Sequence, residues 1–375
     1  MTKQVRVLHV LGSTNLGGAE SRIMDLYRHI DRRQVQFDFL VHTAKEGHFD
    51  REIEGMGGRI YRVPRFRIYN YFSYVKAIKK FFKECHDFTV VQGHMTSTAA
   101  VYLPIAKKTG VTVTVAHARS AGVDKGLKGN LTKWLRRKLP QKTDYMFTCS
   151  EIAGRAVFGN KAVEEGKTIF IPNAIACDNF VRNEEIRLQI RKELQAENKY
   201  IIGHVGRFHY AKNHEYLLQI FAEIIARGDK DYMLLLLGEG GGMDSAKELA
   251  GNLGIADKVC FAGNKTNVYD YYQAMDYFVY PSRYEGLPGT VVEAQAAGVR
   301  CLISDSICRE VMVTDLVHDM SIDGSPKEWA DYVIATQEYD RSDRVEEMKL
   351  AGFDVKTQAE IMADFYMCGE WKRRD

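Results

Sequence analysis

Val5-Arg-Val-Leu-His-Val-Leu11-Gly12-Ser-Thr-Asn-Leu-Gly17-Gly18-Ala19-Glu20 is an apolar run, a glycine turn, and the start of a stretch that carries Ile23, Leu26, Tyr27 and Ile30 at helical spacing. A buried strand passing directly into a helix is the first half of a βαβ unit. The alternation recurs outward from it: residues 36–41, 59–63, 89–92, 112–117, 145–149 and 168–171 read as strands with amphipathic stretches between them. A charged, polar segment over 176–199 interrupts the pattern, and a second series opens with strands at 200–205, 232–237, 258–262, 277–280 and 300–304. Continuous apolar strands joined by helices imply mainly parallel sheets covered on both faces, with ligands outside the carboxyl ends of the strands. The expected fold is α/β, two domains facing each other across a cleft with a mainly parallel sheet each, the first over 1–175 and the second over 176–353.

The composition agrees. A length of 375 residues predicts two domains at roughly 100–200 residues each. Apolar residues at 45% and charged residues at 27% describe a packed chain rather than a disordered one. Seven cysteines, an odd number with no Cys-x-x-Cys pair, suggest neither a disulfide framework nor a zinc site, and fit a reducing cytoplasm. No apolar run approaches the roughly 20 residues that span a bilayer, and the opening residues do not form a signal peptide. Charge is uneven: the first 170 residues hold 29 Lys and Arg against 15 Asp and Glu, and the remainder 23 against 34. The first half is therefore expected to face something anionic.

Three loops that follow strands suit phosphate. The Gly17-Gly18 turn at a helix start exposes backbone N–H groups to the positive end of the helix dipole, although its spacing is neither a dinucleotide fingerprint nor a P-loop. Gly206-Arg207-Phe-His-Tyr-Ala-Lys212-Asn213 sets two cations after a strand, able to neutralise a diphosphate without a metal ion. Pro281-Ser-Arg-Tyr-Glu285-Gly286-Leu287-Pro288-Gly289-Thr290-Val-Val-Glu293 brackets a helix start with two carboxylates, Pro288 taking the place of a first-turn proline. Gly289 and Thr290 can donate backbone N–H groups to phosphate, and Glu285 and Glu293 can accept from hydroxyls, a set suited to a sugar nucleotide. Taken singly, each has a plain alternative: a tight turn, two solvated loop charges, a capped helix with Glu293 on a solvated face. Asp229-Lys-Asp231 precedes a strand at its amino end and reads as a turn rather than a metal motif.

Together with strand-end His117, Ile171-Pro172-Asn173 and Leu237-Gly238-Glu239-Gly240, these motifs resemble a retaining glycosyltransferase of family four, of the B-type glycosyltransferase fold, similar to bacterial capsular and exopolysaccharide enzymes. The glutamates eight apart, 285 and 293, are the most specific part. The resemblance implies two facing Rossmann-like domains, with a C-terminal helix within 354–375 that returns to the first domain. It also implies that Arg207 and Lys212 bind the diphosphate, Glu293 the ribose, and Glu285 with the 286–290 backbone the donor sugar and phosphate. His117 would contact the donor sugar and Gly17-Gly18 would approach the diphosphate. His117, Arg207, Lys212 and Glu285 are thus the expected catalytic set, with no cofactor and no metal. Arg119-Ser120 after His117 and Ser21-Arg22 after Glu20 depart from many relatives, which leaves the acceptor open.

The implied reaction moves a sugar from a nucleoside-diphosphate donor, expected to be a UDP-sugar, to a lipid-linked or glycan acceptor in surface polysaccharide synthesis. A sugar-nucleotide epimerase or phosphorylase on the same fold, or an inactive membrane-associated binding module, are the alternatives. Residues 59–83 interleave cations with aromatics, as do 125–138, and both stretches are expected to meet an anionic membrane surface rather than nucleic acid. The expected location is the cytoplasmic face of the plasma membrane, held peripherally.

Overall fold

The computed structural model describes residues 4–120, 122 and 127–372. The chain forms two compact units, residues 1–174 with 355–375, and residues 175–354.

In the first unit seven strands, β1 (Val5–Leu11), β2 (Val35–Val41), β3 (Ile60–Arg62), β4 (Phe88–Gly93), β5 (Val113–Ala118), β6 (Tyr145–Thr148) and β7 (Thr168–Phe170), pair in parallel in the order β3-β2-β1-β4-β5-β6-β7. The order reverses between β1 and β4, where His9 is registered against Gln92. Val7, Val10, Phe37, Phe39, Val90, Val115 and Phe147 are buried in this sheet's core. The helix Val355–Cys368 belongs to the same unit although it is last in the chain. Its Phe365 ring lies 5.1 Å from Tyr145 and 5.2 Å from Phe147, and Tyr366 lies 5.7 Å from Phe37.

The second unit holds β8 (Tyr200–Val205), β9 (Tyr232–Leu237), β10 (Val259–Gly263), β11 (Tyr277–Tyr280), β12 (Arg300–Ser304) and β13 (Val317–Met320), parallel in the order β10-β9-β8-β11-β12-β13. All of β9, Tyr-Met-Leu-Leu-Leu-Leu, is buried because it lies between two strands with both faces covered. The reversal here falls between β8 and β11, and such a switch point opens a crevice at the carboxyl ends of the two strands. The loops after β8 and β11 are those carrying Arg207, Lys212 and Glu285.

β13 is absent from the sequence reading: at this edge only Val317 of Val-His-Asp-Met is buried, so the strand lacks an apolar run. Among the described residues, no helix is long and apolar enough to cross a membrane.

Candidate functional site

After β8 the chain makes a short turn, Tyr210–Lys212, and reaches Asn213 in the left-handed region at φ 56. Two bonds tie this turn to the loop after β11: Asn213 Nδ2 donates to the Pro281 carbonyl at 3.1 Å, and the Arg283 N–H to the Ala211 carbonyl at 2.8 Å. Gly238 and Gly240 support it from the loop after β9. At both, φ is positive (134 and 157) and a Cβ would strike the Gly206 or Phe208 carbonyl, so the two loops touch only because side chains are absent.

The tie brings Lys212 and Glu285 together. Lys212 Nζ donates to Glu285 Oε1 at 2.6 Å and to the Tyr280 hydroxyl, and lies 4.9 Å above the Tyr280 ring. Burial works against the Lys212 charge, but Tyr280 and Glu285 outweigh it and hold its pKa above the ordinary lysine value. An ammonium has three N–H bonds, and two are used here. Glu285 accepts through Oε1 from both Lys212 and Tyr280, leaving Oε2 without a partner among the described residues. One cationic donor and one carboxylate oxygen are therefore available at the strand ends. Arg207 stands exposed directly after β8. Beneath the loop, burial and the Lys212 charge push His214 down to about 4; burial, His214 and Lys212 keep His204 well below its usual range. Both stay neutral next to the lysine.

Glu293 sits in the second turn of the helix Gly289–Ala296 and is buried, accepting from the Tyr272 hydroxyl at 3.0 Å, which excludes the solvated-face alternative. Pro288 is the N-cap rather than a first-turn residue, with φ −73 and ψ 109, so the helix begins at Gly289. The extended ψ at Pro288 is what moves the start by one residue. The first N–H groups, on Gly289 and Thr290, have no acceptor within the helix, and the Thr290 hydroxyl lies beside that of Tyr280. Gly286 and Leu287 are buried between Glu285 and this helix start. Asp229 accepts from Gln337 at 3.0 Å and Asp231 pairs with Lys258, so the Asp-Lys-Asp segment is a structural turn.

In the first unit, Gly17 caps the helix Gly18–His29. A Cβ on Gly17 would lie 2.5 Å from Glu20 Oε2, so the glycine makes room for a carboxylate folded over the turn, while Gly18 is open. The loop before it is fastened by Asp50, which accepts from Thr14 and the Gly47 N–H, and by the Phe49 N–H bonded to the Thr14 carbonyl at 2.9 Å.

His117, near the end of β5, is fully buried, and its Nδ1 lies 2.9 Å from Gln92 Nε2. Its Nε2 has no partner among the described residues. Burial, then the charge of Arg119, holds its pKa well below the usual histidine value. Alongside, Arg119 Nε donates to His94 Nδ1 at 3.2 Å and Nη1 to Asn173 Oδ1 at 2.8 Å. A guanidinium only donates, so His94 carries its proton on Nε2 and gives it to His9 Nδ1 at 3.1 Å. Sequence reasoning missed Gln92, His9, His94, Tyr272 and Tyr280, which look like ordinary strand or helix residues until the topology places them beside the predicted ones.

Two family models match: "Glycosyltransferase Family 4" over residues 16–179 and "Glycosyl transferases group 1" over 185–346. The chain is 33% identical over 373 residues to the putative glycosyltransferase EpsF of Bacillus subtilis, covering 97% of each. It is 26% identical over 336 residues to the capsular polysaccharide biosynthesis glycosyltransferase CapH of Staphylococcus aureus, covering 87% of this chain and 89% of the relative. Among solved structures, Anabaena HepE in complex with UDP matches with TM-score 0.76 at 16% identity, covering 96% of this chain and 99% of that one. Sucrose-phosphate synthase from Thermosynechococcus elongatus matches with TM-score 0.77 at 17% identity, covering 97% and 98%. With both halves matched and a relative one third identical along nearly its whole length, the chain belongs to the family-four glycosyltransferases and has their B-type fold.

Proposed function

We propose that the protein is a retaining, metal-independent transferase that moves a sugar from a nucleoside-diphosphate donor, a UDP-sugar, onto a lipid-linked or glycan acceptor in surface polysaccharide assembly. The observation that carries this is the Lys212–Glu285 pair at the β8/β11 switch point, with one ammonium N–H and one carboxylate oxygen left for a ligand. The names of the relatives EpsF and CapH, and the UDP or UDP-glucose bound in HepE structures, support the substrate class.

In this reaction Arg207, Lys212 and the Gly289 and Thr290 N–H groups take the diphosphate, Glu293 the ribose hydroxyls, and Glu285 with 286–288 the sugar. His117 donates to a sugar hydroxyl, and Gly17-Gly18 approaches the diphosphate. As the bond from the anomeric carbon to phosphate breaks, the two cations neutralise the departing charge, the role a metal would otherwise fill. The acceptor oxygen bonds to the same face of the anomeric carbon and its proton passes to the leaving phosphate oxygen, so no enzymic nucleophile is needed. Glu285 and Glu293 are not the acid and nucleophile of a glycosidase, which flank the scissile bond about 5 Å apart.

Incubation with a panel of nucleotide sugars and bacterial lipid extract should release nucleoside diphosphate only when both are present. Turnover without acceptor would point to an epimerase, and silence across all donors by folded protein would defeat the proposal.

The acceptor side is proposed to meet an anionic membrane. In the 59–83 stretch Tyr74, Ile78, Phe81 and Phe82 are core residues, but Tyr69 and Phe72 are 81% and 85% exposed, next to exposed Lys76, Lys79, Lys80 and Lys83. Trp134 is likewise exposed, on the helix Leu127–Lys138; residues 125 and 126 of that stretch lie outside the described residues.

A further inference from the structure

The buried histidine at the end of β5 is connected to the last helix of the chain. Tyr366 donates its hydroxyl proton to Gln92 Oε1 at 2.6 Å, and Gln92 Nε2 lies 2.9 Å from His117 Nδ1. All three side chains are 2% exposed or less. Two arrangements of such a chain are self-consistent on paper. In one, the tyrosine donates to the amide oxygen, the amide nitrogen donates to Nδ1, and His117 keeps its proton on Nε2. In the other, the amide is turned over, its nitrogen donates to the tyrosine oxygen, and His117 holds its proton on Nδ1.

Tyr366 decides between them. Its hydroxyl has no hydrogen-bond partner other than Gln92 among the described residues. In the turned-over arrangement the phenolic proton would be buried with nothing to accept it, a penalty that disfavours that state by roughly tenfold or more. The amide must therefore present its oxygen to Tyr366 and its nitrogen to His117. A donor N–H on Nδ1's side requires a lone pair on Nδ1, and the remaining proton goes to Nε2, the atom left without a partner.

We propose that Tyr366, acting through Gln92, is a positioning residue that fixes His117 as an Nε2–H donor, so that the C-terminal helix sets the hydrogen-bonding character of the sugar contact. Its functional consequence rests on the reading of His117 as a contact to the donor sugar. A fixed N–H selects an oxygen lone pair as its partner and cannot take a proton from the acceptor, so His117 binds and orients rather than serving as a base. Arg119, His9 and His94 face the same group, and Arg119 and His9 oppose a second proton on the ring.

The test uses the full chain labelled with ¹⁵N in its histidine rings, His117 being assigned by the signals lost in His117→Asn. Wild-type protein should show Nε2 protonated and Nδ1 bare. Tyr366→Phe removes one oxygen and frees the amide to turn, so a mixture of tautomers should appear; Gln92→Leu should do the same if Tyr366→Phe fails to fold. Binding of UDP-glucose should weaken about five- to tenfold in the variant while binding of UDP stays within about twofold, because only the sugar meets His117. A proton on Nδ1 in wild-type protein, tautomers unchanged in a folded variant, or an equal loss for UDP and UDP-glucose would overturn the proposal. A tautomer mixture with both affinities intact would leave the relay standing and remove His117 from the donor site.

Discussion

Lys212 is a scaffold for its neighbours as well as the proposed ligand of the diphosphate. It holds Glu285 and Tyr280 in place and keeps a third N–H for a ligand, so its replacement loses both roles. Lys212→Met should raise the Kd for UDP about 10- to 100-fold, the range for one charge-assisted hydrogen bond, in a calorimetric titration. Glu293→Gln keeps the shape and the acceptor oxygen for Tyr272, so thermal stability should stay within about 1 kcal/mol while the donor KM rises roughly tenfold with a smaller change in kcat. At this scale the sequence was partly legible. Cations and carboxylates after strands advertise phosphate and hydroxyl chemistry by residue type alone, and Lys212 and Glu285 do meet. Tyr280 and Tyr272 were not visible, because an aromatic at a strand end or in a helix is the same letter whether or not its hydroxyl faces a carboxylate. Tyr366 is further from reach: it is 274 positions from Gln92, and no local pattern encodes that contact.

Elements explain why these residues have the positions they do. The loop after β9 supports the Lys212 turn only through glycine at 238 and 240, so Gly238→Ala should displace the Gly206 carbonyl, lower the melting temperature and weaken UDP binding together. An unchanged melting temperature and affinity would show that the loops can part without cost. The strands were easily read, since β1, β8, β9, β11 and β12 are short apolar runs bounded by turn residues, and their ends match the sequence expectation residue for residue. β13 escaped because an edge strand half open to water needs no such run. The helix Val355–Cys368 is the element with the widest reach: Phe365 packs on Tyr145 and Phe147, and Phe365→Ala should cost about 3–5 kcal/mol in urea unfolding, at the high end for a core position.

For the molecule as a whole, the buried histidines dictate a pH response. His9 lies at about 3 and His214 at about 4, while His94, His117 and His204 are also held well below the usual 6.5, chiefly by burial. Below that usual value the unfolded chain binds protons that the folded chain refuses. Stability therefore falls as pH drops below 6.5, by up to about 1.4 kcal/mol per pH unit for each histidine. Urea midpoints at about pH 7 and about pH 5.5 should differ accordingly, and a flat profile would mean these rings are protonated in the fold. The basic first unit predicts flotation with phosphatidylglycerol vesicles but not with phosphatidylcholine, weakened by salt and by Phe72→Ser with Lys79→Glu and Lys80→Glu.

The order of the chain has one more consequence, for synthesis. The last strand of the first sheet ends at Phe170, yet the helix that covers Phe147 and Phe37 begins only at Val355. At roughly 5–20 residues per second a ribosome needs on the order of ten to forty seconds to make what lies between. Throughout that interval the nascent first unit waits with an apolar face uncovered, so it should engage chaperones during translation, and a stop codon placed before Val355 should yield aggregate where the full-length message yields enzyme.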